Sequence, residues 1–140
     1  MQLHYKKMGK TGPIIIILHG LFGNGRNWHS IARFLSVSYQ VYLVDLRNHG
    51  LSPHASTMTY ENMVLDILEF KETHNLPCFN LIGHSMGGKV AMLLALNHPK
   101  IINYLAIIDI APIAYQHNFT DIFDGLLSVP LDEIKSRKQA

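Results

Sequence analysis

Three stretches of the chain are apolar without interruption and rich in β-branched residues: Ile14-Ile15-Ile16-Ile17-Leu18, Val41-Tyr42-Leu43-Val44 and Tyr104-Leu105-Ala106-Ile107-Ile108. A fourth, shorter run is Phe79-Asn80-Leu81-Ile82. A strand with one wet face alternates apolar and polar side chains, so unbroken runs of this length predict strands buried on both faces. Between them the apolar residues recur at helical spacing. From about Asn27 to Leu35, Trp28, Ile31, Phe34 and Leu35 fall on one face. A second helix starts at Thr59, a good N-cap, and carries the stripe Met63, Val64, Ile67, Leu68 and Phe70. A third follows Ser85, with Val90, Met92, Leu93, Leu94 and Leu96, and stops at His98-Pro99 because proline disfavours helix in the residue before it.

Strands alternating with helices predict right-handed crossovers and an α/β fold: a doubly wound, mostly parallel sheet covered on both sides. Residues 1–112 follow this pattern. After Pro112 it changes: Tyr115 to Phe119 reads as a loop, Asp121 to Val129 as a helix, and Asp132 to Ala140 as a charged start of another. Residues 113–140 are therefore expected to begin a helical cap region. The chain is expected to be the N-terminal part of a larger domain, since it stops within helices rather than after a closing strand.

The chemistry lies at the turns. Gly83-His84-Ser85-Met86-Gly87 matches G-x-S-x-G, a pattern that a chain of this size meets by chance about 5% of the time. Its place between an apolar strand and an apolar helix is what sharpens it. A nucleophile elbow needs the strand to reverse abruptly, so that the serine Oγ projects above the sheet, with small residues where side chains would collide. Ser85 is the candidate nucleophile. The N–H of Met86, at the helix start, is a candidate oxyanion donor. His19-Gly20-Leu21-Phe22-Gly23 follows the first buried strand and reaches the same sheet edge. It offers the N–H of Leu21 as a second donor, with Phe22 a candidate for the substrate pocket. Asp45 to Pro53, after the second buried strand, reads as structural, with Asp45, Arg47 and Ser52 holding a turn.

These segments, with Ile108-Asp109-Ile110-Ala111-Pro112, resemble the α/β-hydrolase superfamily over nearly the whole chain. More narrowly they are similar to the small YbfF-like esterases and acyl-thioesterases of bacteria, which have mitochondrial relatives. The resemblance implies hydrolysis of a small acyl-ester or thioester substrate through an acyl-enzyme on Ser85, with no cofactor. It favours Asp109 as the catalytic acid; a carboxylate that merely holds the Ala111-Pro112 turn, or an acid after a later strand, are the alternatives. The family's histidine belongs to a loop after the last strand, which this chain lacks, so the chain as it stands is expected to be inactive. Of the nine histidines, His84 should point away from the catalytic face, and His117 is the least unsuitable substitute.

Two other functional classes compete. Gly83 to Lys89 fits G-x-x-x-x-G-K, the beginning of a phosphate-cradling loop, but Val90 stands where a Ser or Thr should hold magnesium. The other alternative reading is a non-catalytic truncated fragment. Composition narrows little more. A net charge of +2, scattered along the chain, argues against nucleic acid, and no apolar run approaches a membrane span. No histidine pair has metal-ligand spacing. The single cysteine, Cys78, and the absence of an apolar leader fit a cytoplasmic protein. Without its next strand, the run Tyr104 to Ile108 should form an exposed edge open to self-association.

Overall fold

A computed structural model describes residues 1–114, 120–130, 134 and 136. Five strands form one sheet in the order β1-β3-β2-β4-β5. They are β1 (Tyr5–Met8), β2 (Ile14–Leu18), β3 (Gln40–Val44), β4 (Phe79–His84) and β5 (Ile102–Ile108). β1 is antiparallel to β3, and every other pairing is parallel. Helices α1 (His29–Leu35), α2 (Tyr60–Thr73) and α3 (Met86–Asn97) supply the connections, and α4 (Thr120–Leu127) follows. The α/β, mostly parallel architecture expected from the run-and-helix pattern is the one present. The segment expected to be a loop, Tyr115 to Phe119 with His117, and most of the charged end lie outside the described residues.

The unbroken apolar runs follow from what each strand face meets. Ile16 and Leu18 join a buried cluster with Val44, Met63, Ile67 and Leu94, on the side of α2 and α3. Ile15 and Ile17 point the other way, into a smaller cluster with Ala32, Val41 and Leu43 under α1. Successive side chains of a strand point to opposite faces, so a strand covered on both must be apolar at every position. α2 begins at the expected cap: the Thr59 hydroxyl accepts from the Asn62 N–H at 3.1 Å, and Met63, Val64, Ile67 and Phe70 are buried.

Several expectations need correction. The face assigned to the first helix is wrong. Phe34 is 80% exposed and Ile31 about half exposed, while Ala32 is buried and Trp28 and Leu35 pack beside it. The segment opens with a 3-10 turn over Gly25–Trp28, and the covered stripe runs through 28, 32 and 35. In α3 the inner face is Met86, Gly87, Val90, Ala91 and Leu94, and Leu96 is exposed. β5 is not buried on both faces. It is the outer strand, with Tyr104 79% exposed, because among the described residues no strand pairs with its free side. β1 was not expected at all. Four residues give too short a pattern to read, but Tyr5 stacks edge-on against Phe70 at 5.1 Å while Lys6, on the opposite face, and Lys7 are exposed, as suits a short charged edge strand.

Candidate active site

Parallel strands bring the ends of β2, β3, β4 and β5 to one edge of the sheet, and the residues with unusual backbone collect there. Among the described residues, five non-glycine residues have positive φ: Phe22 at 59°, Asn48 at 63°, Asn75 at 51°, Ser85 at 49° and Asp109 at 55°. Asparagine tolerates this conformation; phenylalanine and serine do not adopt it freely. Phe22, Ser85 and Asp109 follow β2, β4 and β5 in turn, and such strain, on the order of 1–3 kcal/mol per residue, persists only where surrounding packing enforces it.

Packing enforces it at Ser85. With ψ at −115° the residue reverses β4 straight into α3. Its N–H donates to the Ile108 carbonyl of the neighbouring strand end at 3.0 Å. A methyl group on Gly83 would stand 2.4 Å from the Gly87 carbonyl oxygen, and one on Gly87 would stand 2.5 Å from those of Leu18 and His19. The turn therefore closes only with glycine on both sides of the serine. A Cβ on Gly20 would come within 3.3 Å of the Ser85 Cβ, so the β2 loop lies directly against it. Met86 is the first residue of α3, and its N–H has no intrahelical acceptor.

Ser85 borders a cleft of about 710 Å³ walled by Leu21, Met58, Tyr60, Met86, Ile110 and Ile113. The cleft is largely apolar, with Lys89 its one cationic wall residue, and Lys89 Nζ donates to the carbonyls of Ala111, at 2.8 Å, and Ile113. A cradle for phosphate would instead leave that ammonium facing the loop. Phe22 does not line this cleft. It borders a separate cavity with His19, Trp28 and His84, and meets Phe123 edge-on at 6.0 Å.

Asp109 ends β5 at the same edge, with its side chain 85% exposed. Its Oδ2 lies 3.7 Å from Nε2 of His84, and it is not part of the Ser85 cleft wall. His84 projects toward the β2 loop and Trp28, on the other side of the strand from the cleft. Among the described residues no histidine is hydrogen-bonded to Ser85, and no group of three His, Cys, Asp or Glu side chains is placed to hold a metal.

The remaining polar residues of the edge are scaffold. His19 is buried; its Nε2 accepts from the Leu46 N–H at 3.0 Å, so the proton sits on Nδ1, which donates to the Gly20 carbonyl at 2.8 Å. Burial pushes its pKa below the ordinary histidine value. Asp45 accepts from the Gly25 and Leu51 N–H groups at 2.7 and 2.9 Å. Burial raises its pKa, but these amides and His4 outweigh burial and hold it below the usual carboxylate range. Arg47 makes a two-bond fork to Asp66, at 2.6 and 2.7 Å. The sequence singled out Arg47 but not its partner, since Asp66 sits within the apolar stripe of α2.

The model of the alpha/beta hydrolase fold family matches residues 13–133. The chain belongs to that family. A solved marine microorganism esterase is 46% identical and superimposes with a TM-score of 0.91, over 99% of this chain and 55% of that one. A Saccharomyces cerevisiae protein named as an alcohol acetyltransferase is 45% identical over 142 residues, covering 94% of this chain and 42% of its own. A Haemophilus influenzae protein named as an esterase/lipase is 39% identical over 140 residues, 99% of this chain and 49% of its own. The chain thus spans about half the length of the curated hydrolase relatives it matches. Among its described residues, no helix is long and apolar enough to cross a membrane.

Proposed function

We propose that this chain carries the nucleophile, the oxyanion donors and the acyl-binding wall of a serine hydrolase for carboxylic esters or acyl-thioesters. The observation that carries the reading is Ser85 at a positive-φ reversal, opening onto an apolar cleft. In the reaction the Ser85 Oγ attacks the acyl carbonyl carbon while a histidine base takes its proton. The carbonyl oxygen becomes an anion, held by the N–H groups of Met86 and Leu21. Collapse expels the alcohol or thiol, which recovers the proton from the histidine, and water then releases the acid from Ser85. An alcohol in place of water would give acyl transfer, the activity named for the yeast relative. Asp109 is the acid of this proposal, supported by its position at the end of β5. The single, half-buried Cys78 is consistent with a reducing, cytoplasmic setting.

Because no described histidine engages Ser85, the chain alone should turn over p-nitrophenyl esters at close to background. Loss of a triad histidine costs roughly a millionfold in kcat in another serine hydrolase. The test is a fusion of this chain to the remaining length of the marine esterase. The fusion should hydrolyse p-nitrophenyl esters, Ser85→Ala should abolish this, and Asp109→Asn should lower kcat by about 10⁴. An Asp109→Asn loss under about threefold would move the acid elsewhere. Retention of activity by Ser85→Ala would overturn the whole reading.

A further inference from the structure

A second cavity, of about 500 Å³, lies at the same sheet edge beside the end of β3. Its charged walls are His4 and Lys6 from the first strand and its lead-in, Arg26 and His29 from the segment after β2, and Asp45. His4 and Lys6 are two residues apart on an extended chain, so both project to the α1 face. Lys6 Nζ reaches across to His29 Nε2 at 3.0 Å. The one carboxylate is already committed, with its oxygens spent on the Gly25 and Leu51 amides and on His4 Nδ1 at 2.9 Å. Among the described residues neither Lys6 nor Arg26 has an acidic partner.

A concave site holding an ammonium whose partner is an imidazole, a guanidinium without an acidic partner, and one carboxylate already hydrogen-bonded by two amides and His4 carries more positive than negative charge. We propose that it binds a phosphate group, with the Lys6 ammonium and the Arg26 guanidinium as its principal ligands and His29 as a third donor. Arginine suits this role because its fork matches two phosphate oxygens, and lysine because it supplies a compact charge. The site does not depend on Ser85. The ends of β3 and β4 are separated by β2, and two strand spacings put the cavity about 10 Å along the sheet edge from the serine. A molecule could occupy it while the apolar cleft is filled.

Two sources of phosphate share this chemistry, a small soluble phosphomonoester and the headgroup of an anionic lipid. The experiment titrates the full chain with glycerol 3-phosphate by calorimetry, and separately with phosphatidylcholine vesicles carrying phosphatidic acid by co-sedimentation. Saturable binding should appear in one arm, which then names the source. Lys6→Met combined with Arg26→Met should weaken it by about tenfold or more, and Lys6→Arg with Arg26→Lys should restore most of it. Ser85→Ala should bind as the parent chain does, which keeps this proposal separate from the hydrolase reading. Lys6 and Arg26 are both exposed, and circular dichroism would verify that the variants fold alike. Absence of saturable binding in both arms, or equal binding by the Met variants, would overturn the proposal.

Discussion

At the scale of single residues, the site depends on side chains whose partners fix their state. His19 is held neutral, donating from Nδ1 and accepting at Nε2, at the root of the loop that lies against Ser85. An unfolded chain takes up a proton on this residue near pH 6.5, whereas burial resists it in the fold. The unfolded state therefore binds more protons below that pH, and the contribution of neutral His19 is complete above pH 6.5 and lost as pH falls through the depressed value. Chemical unfolding at a series of pH values should show His19→Gln less stable than the parent at pH 8, with the gap narrowing toward pH 5. A gap independent of pH would mean that the ring is not titrating against the fold. The same logic of partners explains how Asp45 holds its turn, as read from the sequence: its carboxylate accepts from the Gly25 and Leu51 amides and from His4.

At the scale of elements, the connection after β3 is locked to α2 by the Arg47–Asp66 fork and by Arg47 donating to the Thr57 and Asn62 carbonyls. Both charges are largely out of water, so the pair is weak evidence of net stabilisation, but breaking it leaves a buried charge unanswered. Asp66→Asn should cost about 3–5 kcal/mol in urea unfolding. Replacing both residues, as Arg47→Met with Asp66→Leu, should recover most of that loss. A double variant no better than Asp66→Asn would show that the cost is packing and not charge. The elements also differ in legibility. α2 was readable because fourteen residues give four turns of stripe and a polar cap. α1 was misread because seven residues behind a 3-10 turn leave its covered face to a rotation that spacing does not record.

At the scale of the whole molecule, the sheet has two unlike edges. β1 is short and carries lysines, a device that discourages pairing. β5 is seven residues long and apolar, with Tyr104, Leu105 and Ile108 exposed and, among the described residues, no strand on its free side. The chain should therefore self-associate with rising concentration, and Leu105→Lys should shift sedimentation toward monomer. Concentration-independent monomers from the unmodified chain would show that this edge is covered in some other way.

The sequence by itself determined the layered α/β class, the strands β2, β3 and β4, the cap and stripe of α2, and the elbow at Ser85. Each rests on local rules: a side chain's environment in a two-sided sheet repeats at every residue, and a tight reversal admits only small neighbours. Only the tertiary structure decided which strands are edges, that Asp66 answers Arg47, and that the Asp109 carboxylate lies beside His84 rather than in the Ser85 cleft. It also decided that Phe22 lines a different cavity from the serine, and that His4, Lys6, Arg26 and His29 converge. An apolar run has the same composition whether or not a neighbour covers it. Ion pairs between distant segments leave no spacing to read, because the distance between two residues along the chain says nothing of their distance once strands are assembled out of sequence order.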